Sequence, residues 1–69
     1  MNQPRWIRIF ETRNLAEASI VQGLLEENGL PVQVLNKQDS SYLMGYAEIY
    51  VPETCLPAVE MILAGNYLN

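Results

Sequence analysis

Three short segments of the chain carry apolar residues at alternate positions, and two longer segments repeat apolar residues every three or four positions. Alternation predicts a β-strand with one buried face, whereas the longer repeat predicts an amphipathic helix. The predicted strands are residues 4–10, 32–36 and 46–51. One helix is predicted after the first strand and another after the third, so the element order is βαββα.

The first helix has well-marked ends. Asn14 is expected to be its N-cap, because an Asn side chain there accepts hydrogen bonds from the free N–H groups of the first turn. Glu17 follows three residues later, as in a variant of the capping box. The helix is predicted from Leu15 to about Asn28, with Gly29 in the left-handed conformation that commonly ends a helix.

The second helix is predicted to begin near Glu53, with Thr54 as its N-cap and Gly65 at its end. Cys55 lies on the apolar stripe of this helix and is expected to pack in the core, since cysteine is among the most buried residue types. Residues 66–69 are predicted to form either a short fourth strand or a tail.

These elements predict an α+β fold of the ferredoxin-like type, a single domain over residues 1–69. A crossover through the first helix leaves room for the third strand between the other two. The expected result is a three-stranded antiparallel sheet with both helices on one face and without a true fourth strand. The outer edge of the first strand, where that fourth strand would pair, is expected to be open.

The sheet face turned away from the helices is predicted to be rich in aromatic residues. Alternation places on it Trp6, Arg8, Phe10, Leu35, Tyr46, Glu48 and Tyr50. Arg8 and Glu48 are expected to pair across strands. Because a chain of 69 residues can cover only one sheet face with its two helices, the aromatic face needs water, a ligand or another protein chain against it. We expect it to be an interaction face.

Composition narrows the classes of function. The chain has one cysteine and no histidine, which excludes an intrachain disulfide and a Ser–His or Cys–His catalytic pair and makes a zinc site unexpected. A net charge of −4 disfavours nucleic acid, whose phosphates bind Lys and Arg. Neither a membrane-spanning run nor a signal-peptide pattern is present, which predicts a cytoplasmic protein. We expect neither enzymatic activity nor a cofactor.

Size and charge content predict self-association. Only 17% of the residues are charged, against roughly 25% in typical domains. Domains of this size bury a modest share of their surface and often depend on disulfides, metals or oligomerisation. Because a disulfide is excluded and a metal is unexpected, oligomerisation is the remaining way to stabilise the domain. We expect a homo-oligomer, either a dimer or a trimer.

A polar connection, residues 37–45, joins the second and third predicted strands. It is predicted to be a loop that contacts a ligand or a partner, and its candidate residues are Lys37, Asp39 and Tyr42. It contains no glycine-rich phosphate-binding pattern.

Two stretches of sequence resemble a known family. The first is NLAEA at residues 14–18 with GLLEENGLPV at residues 23–32, followed by Asn36, and the second is EIYVPE at residues 48–53. Together they resemble a family of short bacterial domains of unknown function described as "putative prokaryotic signal transducing protein". The resemblance covers nearly the whole chain.

That family is grouped by fold with the PII (GlnB-like) nitrogen regulators. The grouping implies a ferredoxin-like fold and oligomers whose sheets face inward. PII proteins bind nucleotides between subunits and signal through the loop between strands two and three. The equivalent loop here is much shorter and has no basic cluster for phosphate, so nucleotide binding is not carried over.

The sequence therefore predicts a non-enzymatic regulatory or interaction module. It is expected to self-associate through the aromatic sheet face or an open strand edge. The alternative is a sensor of a small metabolite or nucleotide, with its site between subunits.

Overall fold

The computed structural model describes residues 4–39 and 44–66. The elements, in chain order, are β1 (Trp6–Thr12), α1 (Leu15–Glu27), β2 (Gln33–Asp39), β3 (Met44–Pro52), a 3-10 turn (Glu53–Cys55) and α2 (Leu56–Asn66). The predicted βαββα order is confirmed. Strand β1 begins and ends two residues later than predicted, β2 begins one and ends three residues later, and β3 begins two residues earlier and ends one later.

In the described residues the sheet has three antiparallel strands in the order β1-β3-β2. The last strand in sequence is therefore the central one, and β1 and β2 are the two edges. With both helices packed on one face, the fold is the predicted α+β, ferredoxin-like arrangement. Residues 67–69 of the predicted fourth strand or tail lie outside the described residues, and Asn66 ends α2.

The core lies between the sheet and the helices. Its buried residues are Ala18, Val21 and Leu25 of α1, Ala47, Ile49 and Val51 of β3, and Val59 and Leu63 of α2. Val32, Val34 and Cys55 are partly buried against this cluster, which confirms the predicted packing of Cys55. Because the three core residues of β3 alternate along the strand, the residues between them point to the other face of the sheet.

Helix α1 begins as the sequence predicts. The Asn14 side chain accepts a hydrogen bond from the backbone N–H of Glu17 at 3.1 Å, which satisfies one free donor of the first turn. The Glu17 carboxylate in turn accepts a 2.6 Å hydrogen bond from the Thr12 hydroxyl. After the helix, Gly29 has a φ of 82°, the left-handed conformation that glycine adopts without strain.

Strand β1 contains an irregularity that the alternating pattern did not predict. Arg8 lies opposite Tyr50, but Phe10 lies opposite Ile49, so Ile9 is an extra residue in a β-bulge. An extra residue reverses the facing of every later side chain in the strand. The assignment of Phe10 to the aromatic face was therefore wrong, since Phe10 packs against the core.

The start of the second helix also differs from the prediction. Thr54 lies inside the 3-10 turn, and Pro52 occupies the N-cap position of that turn without a side-chain hydrogen bond. The backbone N–H of Glu53 instead donates to the carbonyl of Arg5 at 2.7 Å. This bond joins the end of β3 to the residue before β1, so the first donor of the turn is satisfied by the neighbouring chain segment and not by a cap.

Candidate interaction surface on the open side of the sheet

The face of the sheet opposite the helices, called here the outer face, has no described helix or strand packed on it. Strand register and alternation place the following side chains on it: Trp6, Arg8 and Glu11 of β1, Gln33, Leu35 and Lys37 of β2, and Tyr46, Glu48 and Tyr50 of β3. Apart from Phe10, the residues predicted for the interaction face therefore lie together.

Glu48 is the centre of this surface. It is only 3% exposed, although it lies on the face that no helix covers. Its Oε2 is 3.0 Å from Nη1 of Arg8, and its Oε1 is 3.2 Å from Nζ of Lys37. The Tyr50 hydroxyl donates a 2.9 Å hydrogen bond to the same Oε1. Both carboxylate oxygens are thus occupied, and the predicted Arg8–Glu48 pair is confirmed.

The register explains why these side chains converge. Arg8 on one edge strand lies opposite Tyr50, two residues after Glu48, and Lys37 on the other edge strand lies opposite Tyr46, two residues before it. Both cations are therefore diagonal neighbours of the carboxylate, a separation that long side chains can bridge. The Glu48 cluster, comprising Glu48, Arg8, Lys37 and Tyr50, connects all three strands.

These contacts stabilise the ionised carboxylate. The hydrogen bond from Tyr50 lowers the pKa of Glu48, and Lys37 and Arg8 lower it further against the opposing effect of burial. The same interactions raise the partners' pKa values, since the hydrogen bond to Glu48 raises the pKa of Tyr50. It likewise raises the pKa values of Arg8 and Lys37. The Glu48 carboxylate is accordingly ionised at neutral pH, where Arg8 and Lys37 are charged as well.

Apolar side chains flank this charged centre. Trp6 is 40% exposed and Leu35 is 43% exposed, one on each edge strand. Tyr46 and Tyr50 are half-buried. Trp6 and Leu35 are the large apolar groups with the most surface left exposed on this side of the sheet.

The predicted ligand loop is corrected by the structure. Lys37 and Asp39 belong to strand β2, because their backbones pair with Tyr46 and Met44 of β3. Tyr42, the third candidate, lies outside the described residues. Residues 36–41 are all polar, so no alternation of apolar and polar residues marks this part of the strand, and the engagement of Lys37 with Glu48 was missed for that reason.

Two residues of the outer face are absent from the set predicted for the interaction face. Glu11 reaches this face only through the bulge, and it lies opposite Glu48. Gln33 pairs with Tyr50, and alternation along β2 places it on the same face as Leu35. No local signal marked Glu11, whereas the period of two was sufficient to find Gln33.

The described residues contain neither a metal-binding cluster nor a membrane-spanning helix. Within residues 4–39 and 44–66, no three His, Cys, Asp or Glu residues are grouped so that they could hold a metal ion. No helix in the same residues has both the length and the apolar character needed to cross a membrane. Cys55 is partly buried against the core.

Comparison with known proteins identifies the family. No curated protein and no solved structure matches the chain. A protein family does match, over residues 6–65, which includes every described strand and nearly all of α2. Its description is "putative prokaryotic signal transducing protein", and its members have no defined function. The chain belongs to this family of prokaryotic domains.

Proposed function

We propose that this chain is a non-enzymatic regulatory module that acts through protein–protein contact and associates with a second copy of itself through the open face of its sheet or an open strand edge beside that face. The main support for this proposal is that the outer face is uncovered by any described helix or strand. In the described residues both helices lie on the opposite face, and Trp6 and Leu35 remain substantially exposed. A family described as signal transducing is consistent with a contact-making role.

The polar groups of the outer face support its burial in a complex. Glu48 already has three partners, and among the described residues no buried side-chain nitrogen or oxygen lacks a hydrogen bond. Burying a charged group is costly when it is unpaired and much less costly when its partners are in place. A partner could therefore cover this face without having to supply ligands for the carboxylate.

The same cluster argues against acid–base catalysis. A general acid or base works best when its pKa lies near the working pH. The pKa of Glu48 is lowered, chiefly by the hydrogen bond from Tyr50, so the carboxylate stays ionised and engaged at neutral pH. The chain also contains no histidine. These features support the non-enzymatic assignment.

The alternative of a small-ligand sensor is favoured less by the geometry. Its site would be formed by the aromatic face together with the connection at 37–45, but Lys37 lies in β2 and is bound to Glu48, and Asp39 lies in the same strand. The remaining candidate, Tyr42, is not among the described residues.

Sedimentation velocity at tens of micromolar tests the proposal. We expect reversible association of the wild-type chain, and a strict monomer would overturn the proposed function. Leu35→Gln should weaken association because it removes exposed apolar surface from the open side, and a neutral residue avoids placing a charge opposite Glu48. The matched control is Ile20→Gln on α1, where an apolar residue even more exposed than Leu35 lies on the helical side.

A further inference from the structure

We propose that the surface used for self-association is the edge of β2, which pairs antiparallel with β2 of a second copy to form one continuous six-stranded sheet. This inference rests on the self-association proposed above and specifies its contact. An edge strand carries a row of unpaired backbone N–H and C=O groups, and another chain can satisfy them. No described segment pairs with the outer side of β2.

The two edges of the sheet are not equivalent. Strand β1 is interrupted by the bulge at Ile9, and the carbonyl of Arg5 just before it is used by the N–H of Glu53. Bulges twist an edge and disrupt its pairing, and natural sheets use them to prevent edge-to-edge contact. Strand β2 pairs with β3 without a register shift over all seven residues and contains neither proline nor glycine. It is the regular edge.

Lysine on an edge strand normally blocks pairing, because its charge would be brought against an incoming strand. The lysine of β2 is held inward instead. Lys37 lies 3.2 Å from Glu48 on the central strand, and this contact compensates its charge within the same chain. Because Lys37 is bound within the Glu48 cluster, its charge no longer prevents another chain from pairing with the edge of β2.

A two-fold axis through Leu35 gives a register of the two β2 strands in which no like charges lie directly opposite each other. Leu35 then faces Leu35 of the second copy, so two exposed apolar side chains cover each other. Lys37 faces Gln33, and Val34 faces Asn36. A register centred on Lys37 would place two like charges directly opposite each other, which is destabilising. The contact is isologous, as a closed dimer requires.

The bulged edge limits the assembly to two chains. In the six-stranded sheet the two β2 strands are central, and the outermost strand at each end is a β1 with its bulge at Ile9. Neither end offers a regular edge for a third chain. The expected species is a dimer, whereas a regular β1 would allow open-ended growth.

Two substitutions separate edge pairing from packing of the outer face. Asn36 is exposed and lies opposite Ala47, so its side chain is on the helical side of the sheet at the β2 edge. Asn36→Lys should weaken the dimer by roughly ten-fold, because the two-fold axis places the new charge in the contact twice. Ser19→Lys on the exposed surface of α1 is the matched charge control and should leave the dimer unchanged. Trp6→Glu, on the far edge strand, should also leave it largely intact.

Hydrogen exchange gives a second readout that does not depend on a variant. As the wild-type concentration rises through the association range, every second amide of β2 should gain protection, while the amides of β1 should not. If the wild-type chain associates but Trp6→Glu dissociates it and Asn36→Lys does not, the edge contact is wrong and the proposed function stands. If the wild-type chain never associates, the proposed function itself fails.

Discussion

Lys37 and Glu48 form an ion pair with 3.2 Å between Nζ and Oε1, and this pair joins an edge strand to the central strand. Arg8 makes the equivalent contact from the other edge strand, at 3.0 Å from Oε2. One carboxylate therefore links all three strands on the face that the helices leave uncovered. Glu48 therefore contributes to the stability of the sheet and also sets the charge distribution of its outer face.

Glu48→Gln should lower the thermal unfolding midpoint. The substitution keeps the size of the side chain but removes the charge that holds Arg8 and Lys37, and a buried amide cannot accept from all three partners. Glu27→Gln, on the exposed last turn of α1, is the control. A carboxylate near a helix C-terminus is unfavourable, so this control should be neutral or slightly stabilising. Equal midpoints for the two variants would contradict the role assigned to Glu48.

The stability of the chain should decrease in acid because of Glu48. Its folded-state pKa is lowered, chiefly by the hydrogen bond from Tyr50, so its contribution is complete above the ordinary value of 4.5 and is lost as the pH falls through the lowered pKa. Urea unfolding between pH 7 and pH 2 measures this loss. Glu48→Gln should show a smaller decrease over the same range, and an identical decrease would show that other carboxylates are responsible.

Tyr50→Phe should raise the pKa of Glu48 toward its ordinary value, because the hydroxyl makes the largest contribution to lowering it. A carbon-13 NMR titration of the Glu48 carboxyl group measures the change directly. Tyr46→Phe is the matched control, since Tyr46 lies on the same face and no hydrogen bond joins it to Glu48 in the described structure. A shift of the same size in both variants would rule out the specific bond.

Phe10→Ala should destabilise the fold more than Trp6→Ala. Phe10 packs against the core beyond the bulge, and its loss should lower the free energy of unfolding by roughly 2–3 kcal/mol, somewhat below the range for fully buried aromatics. Trp6 is 40% exposed on the outer face. Urea unfolding at a concentration where the chain is monomeric measures both. A larger loss for Trp6→Ala would show that Phe10 faces outward after all.

Asn14→Ala should lower the free energy of unfolding by about 1 kcal/mol, the usual effect of losing an N-cap. The side chain that is removed accepts the N–H of Glu17 at 3.1 Å. Asn14→Ser keeps an accepting oxygen and should retain most of the stability. If the serine variant lost as much as the alanine variant, the effect would come from something other than the cap.

The sequence was sufficient for the features governed by local chemistry. Asn14 and Gly29 marked the ends of α1, and alternation identified the inner and outer residues of β3. The βαββα order then determined the topology, because few connections are compatible with it. The Arg8–Glu48 pair followed from the same register.

Features set by tertiary context were missed. No residue type around Ile9 marks a bulge, so the alternating pattern was continued one residue too far and Phe10 was assigned to the wrong face. Lys37 was read as part of a loop because polar residues dominate its neighbourhood, yet its backbone pairs with β3. In both cases the pairing partner across the sheet, and not the local sequence, determines the conformation.

The bulge also determines which side chain at the end of β1 faces the start of α1. Thr12 lies opposite Ala47, on the helical side of the sheet, where its hydroxyl donates to Glu17 and accepts the backbone N–H of Asn14 at 3.0 Å. Without the extra residue, Thr12 would point to the opposite side, out of reach of the first turn. Deleting Ile9 would thus turn the side chains at the end of β1 to the other face of the sheet. The Thr12 hydroxyl would then no longer reach the first turn of α1.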